Sequence, residues 1–321
     1  MLKIKYFIKI IRWPNLLIIA ITMYLMRYCL LQPLLETNGL FLIQSHIKFF
    51  LLTLSTVLIA ASGYIINDLN DIDADKINKP EKLIAGKYLS IKFLDNMYLF
   101  LNFFGIALGV YVSYSTGLKT VSVVFLLVAG LLYFYSTTYK VQLILGNIMV
   151  AVFSALVPFM VFIFDMPLIR QKFREFESTS FNFNYIIAWF AFYAFFAFII
   201  TLTREIIKDI EDFEGDKAYG KHSLPVAFGT QASKLVVISL LLFLLIIICF
   251  SFFRFLNDAF SLIYIVPFII APIIYVLFIL IKAKEKLEFT KASFWCKAIM
   301  ITGILYTLLV KFVLLNPSAH S

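Results

Sequence analysis

Charge is scarce in this chain. Only 15% of its 321 residues are Asp, Glu, Lys or Arg, while 62% are hydrophobic and the mean hydropathy is +0.94. A soluble domain of this length cannot cover so much apolar surface with so few charges, which excludes an ordinary soluble globular fold. Cysteine is scarcer. Cys29, Cys249 and Cys296 all fall in apolar runs without paired spacing, so they form no zinc motif, predict no disulfide and read as small buried hydrophobes. The three histidines are scattered: His46 beside a loop, His320 in the tail, and His222 alone near an acidic cluster. Acidic residues number 19 against 28 basic, a net charge of +9. That excess follows membrane topology and anionic headgroups, and it does not argue for nucleic acid.

Long apolar runs dominate what is there. Nine segments reach membrane length, near 14–34, 47–67, 93–114, 120–139, 143–165, 185–207, 234–254, 259–281 and 294–315. Backbone polar groups cannot pair in lipid, so each span must be helical. The first run is too long for a signal-peptide core and lacks a small-residue cleavage site, so it reads as a permanent span. Lysine and arginine set the orientation. One side collects Lys3, Lys5, Lys9, Arg12, Lys76, Lys87, Lys217, Lys282, Lys284 and Lys286; the other has Lys119, Arg254 and the mixed segment around Arg170, Lys172 and Arg174. The richer side is expected to be cytoplasmic, in a multi-pass plasma-membrane protein with its N-terminus inside and its C-terminus outside.

Two acidic clusters share one spacing. Asp68, Asp71 and Asp75 form D-x-x-D-x-x-x-D, and Asp209, Asp212 and Asp216 repeat it 141 residues later. Each cluster sits at the end of an apolar span. On a continuous helix these offsets put all three carboxylates on one face. Such a stripe is tolerated where a cation is expected, and hard cations such as magnesium are held by carboxylate oxygens shared with substrate phosphates. Asn67 adds an oxygen ligand, and Glu205 extends the second stripe. The constant offset gives one domain over 1–321 with pseudo-repeated halves, about 1–140 and 141–321, in parallel orientation around a central cavity. The loops 76–92 and 217–233, with Pro80, Gly86, Gly220, Pro225 and Gly229, are long enough to act as lids.

Cations flank the clusters. Lys79 and Lys82 follow the first; Arg204 and Lys208 precede the second, and Lys140 closes the fourth span. Arginine grips phosphate oxygens with a bidentate fork and lysine as a point charge. Asn15, Asn147, Tyr135, Tyr139, Lys221 and His222 are further candidates for contact with substrate. Magnesium bridging the carboxylates to a diphosphate makes it a good leaving group, and an apolar cavity would shelter the allylic cation left by a prenyl diphosphate. A cation transporter would use the same repeat, but its ion site is expected near the midplane rather than at the span ends.

These residues resemble the UbiA-type membrane prenyltransferases. Asn67 to Asp75 is similar to the family's N-D-x-x-D-x-x-x-D motif, and Asn78-Lys79-Pro80 with Gly86 to the loop after it. Asp212 to Asp216 resembles its D-x-x-x-D motif, followed by Ser223-Leu224-Pro225 and Gly229. Arg12 and Asn15 resemble the start of its first helix, and Gly146-Asn147 that of its fifth. Tyr135 and Lys140 lie five apart where the family often has four. The resemblance implies an all-α integral membrane fold of nine helices around a central cavity and magnesium-dependent prenyl transfer. It implies metal or diphosphate binding at Asn67, Asp71, Asp75, Asp212 and Asp216. Residues 204–212 look most like the branch that forms digeranylgeranylglyceryl phosphate, which attaches geranylgeranyl to a glycerophosphate ether. Aromatic acceptors of quinone or chlorophyll type are the alternative. The expected partners are therefore a prenyl diphosphate, a lipid-soluble acceptor and membrane lipids, with no obligate protein partner.

Overall fold

The computed structural model describes residues 2–78, 80–81, 83–173 and 183–316. Its helices, in chain order, are α1 (Leu2–Ile10), α2 (Trp13–Leu25), α3 (Gln32–Glu36), α4 (His46–Asn70), α5 (Ile72–Asn78), α6 (Ile91–Ser115), α7 (Ser122–Thr137), α8 (Leu145–Lys172), α9 (Asn184–Glu211), α10 (Phe213–Tyr219), α11 (Leu224–Ser251), α12 (Ala259–Ile265), α13 (Ala271–Lys282) and α14 (Lys286–Leu315). π-helical turns at Met26–Leu31 and Val266–Ile270 join α2 to α3 and α12 to α13, and a third at Phe252–Leu256 continues α11. Among the described residues nine helical stretches are long and apolar enough to cross a membrane, as the apolar runs require.

Two spans begin earlier than hydropathy indicates. The seventh starts at Leu224 and the ninth at Lys286. Pro225 lies in the first turn of α11, where its missing N–H costs nothing, so it starts the helix rather than breaking it. The expected loop 217–233 therefore shrinks to the non-helical residues 220–223, and only Gly229, at φ +85°, interrupts α11. The ninth span opens with a reciprocal capping box between Glu285 and Glu288. Cys249, expected to be buried, is exposed on α11.

The chain forms two compact units. One comprises Met1–Met23, Leu42–Gln142 and Met160–Arg174; the other comprises Tyr24–Phe41, Leu143–Phe159 and Glu175–Ser321.

In the first unit α4 packs along α6 and α7. The Ser55 hydroxyl donates to the Gly105 carbonyl at 2.6 Å, and Asn102 donates to Ser62 at 3.2 Å. Residues 83–90 are pinned rather than open. Ile84, Ala85 and Leu89 are buried with Ile10, Ile65 and Leu94, and Tyr88 stacks on Tyr6 with ring centroids 4.1 Å apart. Gly109 of α6 faces Phe125 of α7, and a Cβ there would overlap the ring. Gly109→Ala is expected to lower the thermal midpoint through overpacking of about 1–3 kcal/mol, measurable by melting the detergent-solubilised protein.

In the second unit α9 packs against α11 and α14. Thr290 of α14 donates to Glu211 of α9 at 2.9 Å. Further along the same pair of helices, a Cβ on Gly303 would lie 2.6 Å from the Phe196 ring, so the backbones approach closely there. Buried Lys234 donates to the carbonyl of Ala283, just past α13, at 2.8 Å.

Candidate active site

Both acidic clusters break their helix at the middle aspartate. In the first unit α4 ends at Asn70, Asp71 adopts φ −98°, ψ 1°, and α5 resumes at Ile72. In the second, α9 ends at Glu211, Asp212 adopts φ −98°, ψ 11°, and α10 resumes at Phe213. The surrounding hydrogen bonds match as well. Asp71 N–H donates to the Asn67 carbonyl at 3.0 Å and Asp75 N–H to the Asp71 carbonyl at 2.7 Å; Asp212 N–H donates to Lys208 and Asp216 N–H to Asp212, each at 2.9 Å.

The continuous stripe expected from the spacing is thus corrected to a stripe with a bend at its centre. The physical reason is electrostatic. A third carboxylate at the C-terminal end of one long helix would meet both its like-charged neighbours and the negative end of the helix dipole. A break at the middle residue places Asp75 and Asp216 in the first turn of a new short helix, whose positive end favours a carboxylate.

In the first unit Lys140, in a short 3₁₀ turn after α7, donates to Asp71 Oδ1 at 2.6 Å, and Asn67 Nδ2 donates to Asp71 Oδ2 at 2.8 Å. Asn67 Oδ1 is buried and has no hydrogen-bond donor among the described residues. Arg12 pairs with Asp68 at 2.9 Å and lies over the Tyr64 ring at 4.8 Å. It holds a left-handed backbone, φ +52°, in the turn between α1 and α2, a strained conformation for a non-glycine residue. Burial opposes the Arg12 charge, but Asp68 outweighs it and the guanidinium pKa is raised. Asn15 donates to the Tyr64 hydroxyl at 3.3 Å. Tyr135, within electrostatic reach of Arg12, and Tyr139 are half-buried, as is Asp75. Lys79 and Lys82 lie outside the described residues.

In the second unit Lys221 spans two carboxylates, 2.9 Å from Asp209 Oδ1 and 3.0 Å from Asp216 Oδ2. Asn147 of α8 supplies the other Asp209 oxygen with a donor at 2.7 Å. Burial pushes the Asp216 carboxyl above the usual carboxylate range, and Lys221 limits the rise. Burial works against the Lys221 charge, yet Asp209 and Asp216 together raise its pKa. Arg204 and Lys208 both bind Glu205, at 2.7 and 3.0 Å, rather than the aspartates. His222 is exposed.

Two contacts were not foreseen. Lys286 approaches Asp212 at 3.6 Å, and Lys297 lies within electrostatic reach of Arg204. A lysine inside an apolar span was the available signal for the latter. Its partner depended on the register of α14 against α9, which no single sequence prints.

Among the described residues no group of three or more His, Cys, Asp or Glu side chains holds a metal ion alone. The donor set nonetheless fits magnesium. That ion characteristically takes one or two carboxylates and completes its shell with water and phosphate oxygens. Asn67 Oδ1, a buried amide oxygen beside Asp71 without a donor among the described residues, is the kind of ligand a hard cation takes. Lys140 and Lys221 now supply the positive charge that a cation would bring.

An all-helical, multi-pass membrane protein with two matching acidic helix breaks defines a class, the intramembrane prenyltransferases. The model of the UbiA prenyltransferase family matches residues 33–315, and the chain belongs to that family. It is a prenyltransferase. The digeranylgeranylglyceryl phosphate synthase of Saccharolobus solfataricus is 33% identical over 257 residues, 78% of this chain and 80% of that protein. A solved structure from work on digeranylgeranylglyceryl phosphate synthase in membranes superposes with a TM-score of 0.64 at 24% identity, covering 97% of this chain and 99% of that one. A UbiA homolog from Archaeoglobus fulgidus bound to DMAPP and Mg2+ gives 0.54 at 17% identity, covering 95% and 99%. At these identities the two structures show the shared fold alone.

Proposed function

We propose that the chain is a magnesium-dependent geranylgeranyltransferase that alkylates geranylgeranylglyceryl phosphate. The observation that supports this reading is the pair of matching helix breaks, with Lys140 bound to Asp71 in one and Lys221 to Asp209 and Asp216 in the other. The curated relatives named digeranylgeranylglyceryl phosphate synthase support the acceptor, and the Mg2+ and DMAPP bound to the Archaeoglobus homolog support the metal.

Asn67, Asp68, Asp71, Asp75, Asp209, Asp212 and Asp216 are assigned to the metal–diphosphate site, with Asp71, Asp75, Asp212 and Asp216 indispensable. Magnesium, when bound, would neutralise the diphosphate and make it a better leaving group. The protein's own cations complete the arrangement. Lys140 and Lys221 are assigned to the diphosphate, each exchanging its carboxylate partner for phosphate oxygens, and Lys79 and Lys82 are assigned to it as well. The allylic C–O bond breaks, the acceptor hydroxyl oxygen bonds to the allylic carbon, and its proton passes to a carboxylate such as Glu205 or Asp209. Asn15, Asn147, Tyr135, Tyr139 and His222 are assigned to substrate positioning. Both motifs, the N-terminus and the lysine-rich loops lie on the cytoplasmic side of the plasma membrane in this reading.

Purified protein given magnesium, geranylgeranyl diphosphate and one acceptor at a time, with products read by mass spectrometry, tests the assignment. Product is expected with geranylgeranylglyceryl phosphate and little with hydroxybenzoate or dihydroxynaphthoate. Prenylation of an aromatic acid with none of the glycerophosphate would overturn the acceptor and leave the family standing.

A further inference from the structure

We propose that α1, residues 83–90 and the first turn of α6 form a docking surface for anionic phospholipid, at the membrane boundary and packed behind the first acidic motif. The surface is independent of which acceptor the protein alkylates.

Spacing divides the nine residues of α1 into stripes. Tyr6 and Ile10, with Phe7 alongside, turn inward. Ile10 is buried with Ile84, Leu89 and Leu94, and Tyr6 and Phe7 are half-buried against the same cluster. Ile4 and Ile8 form a second stripe, 65% and 41% exposed. Lys5 and Lys9 form a third, also exposed. A helix with one outward face apolar and the next basic suits a bilayer interface, with its apolar side toward the acyl chains and its lysines toward the headgroups.

The neighbouring chain fixes that depth. Arg12, in its left-handed conformation, ends α1, and exposed Trp13 opens the first span. Indole rings concentrate at the membrane–water boundary. The third span opens at Ile91 and is capped by Ser90, whose hydroxyl accepts from the Phe93 N–H at 3.3 Å. Aromatic rings join these two span starts. Tyr6 stacks on Tyr88 at 4.1 Å, and Phe7 meets Phe93 edge-on at 6.0 Å.

Charge selects the occupant. Residues 2–10 and 83–94 contain Lys3, Lys5, Lys9, Lys87 and Lys92 and no acid. These lysines are exposed, and among the described residues none is paired with a carboxylate, although Glu81 and Asp95 flank the second segment. Lys87 Nζ lies 5.4 Å from the centre of the Tyr88 ring, which sets its charge beside the stacked pair. An anionic phosphodiester headgroup supplies the missing negative charge. Its acyl chains meet Ile4, Ile8, Ile91 and Phe93, which are all exposed. A free phosphate would satisfy the lysines alone.

The inward stripe reaches the motif. Leu69 and Ile72, on either side of Asp71, pack against the same cluster as Tyr6 and Phe7. Lipid that holds α1 in place therefore steadies the bend at Asp71 from behind.

The test titrates full-length protein in neutral detergent with short-chain phosphatidylglycerol, or with phosphatidylcholine of the same chain length, and reads the thermal midpoint. Phosphatidylglycerol is expected to stabilise more, and the difference should fade as salt is added. Each lysine near an anionic surface contributes about a fivefold factor in affinity, so Lys5→Gln/Lys9→Gln should weaken the phosphatidylglycerol titration about 25-fold. Lys5→Arg/Lys9→Arg should keep it. Ile4→Ser/Ile8→Ser keeps the charges and should weaken binding of both lipids. Lys282→Gln/Lys284→Gln removes the same charge from other exposed positions and should change the titration less than about threefold. Equal stabilisation of wild type by the two lipids would overturn the surface, since it shows no headgroup recognition. An equal loss in the Lys282/Lys284 variant would overturn it by showing that net charge alone attracts the lipid. An equal shift from free glycerol phosphate would do so by showing a site for a soluble ion. Amide exchange over residues 66–75 should slow with phosphatidylglycerol and not with phosphatidylcholine. Unchanged exchange there would overturn the link between the surface and the motif.

Discussion

Alanine at Asp71, Asp75, Asp212 or Asp216 is expected to cut prenyl transfer at least about 100-fold, the kinetic equivalent of several kcal/mol of lost transition-state stabilisation. Each substitution removes a carboxylate assigned to a cation that would stabilise the departing diphosphate. Stability should not follow activity. Asp71→Ala strands Lys140, whose side chain is only 14% exposed, so this variant is expected to melt lower than wild type. The Lys286 pair lost in Asp212→Ala, 3.6 Å long with Lys286 61% exposed, should take little from the melting point. Turnover by mass spectrometry and melting by intrinsic fluorescence separate the two effects. Near wild-type turnover in any two of the four variants would remove the metal assignment.

The membrane class and the span count were legible because a run of roughly 20 apolar residues has few other uses. The ends of the spans were not. Lys234, Glu288 and Lys291 lower local hydropathy at helix starts that Pro225 and the Glu285–Glu288 capping box in fact specify. The repeat was legible in spacing, but the bend at Asp71 and Asp212 was not, since neither residue is a glycine or proline and a break there answers charge repulsion rather than backbone propensity. The motif aspartates announced themselves as costly charges against an apolar run. Their lysines did not. Lys140 is 69 residues from Asp71, and Lys221 lies across the turn that follows α10, so each pairing is a product of tertiary folding. Lys221, first placed among the substrate contacts, holds two motif carboxylates, and Arg204 and Lys208, first placed on the diphosphate, hold Glu205.

Lys221→Met is expected to make the stability of the fold depend on divalent cation. In wild type the ammonium is shared by Asp209 and Asp216, at 2.9 and 3.0 Å, and those carboxylate side chains are only 10% and 7% exposed. Methionine keeps the apolar stem and removes the charge. Leaving one partner of a fully buried pair costs about 3–5 kcal/mol, and a lysine that is 26% exposed should cost less, about 1–3 kcal/mol, or several degrees in thermal midpoint. Magnesium should restore more of the midpoint in the variant than it adds to wild type, because it meets carboxylates with no competing lysine. The pH dependence has a definite sign. Burial already raises the Asp216 pKa and Lys221 holds that rise in check, so the substitution raises it further. A carboxyl with a raised folded pKa destabilises the fold while ionised, and the penalty fades as pH falls through that pKa. The deficit of Lys221→Met should therefore shrink when metal-free protein is moved from mildly alkaline to mildly acidic buffer. Transfer should fall at least about 100-fold throughout, since the same lysine is assigned to the departing diphosphate. A variant that melts like wild type without metal in the mildly alkaline buffer would show that Lys221 does not stand in for the cation.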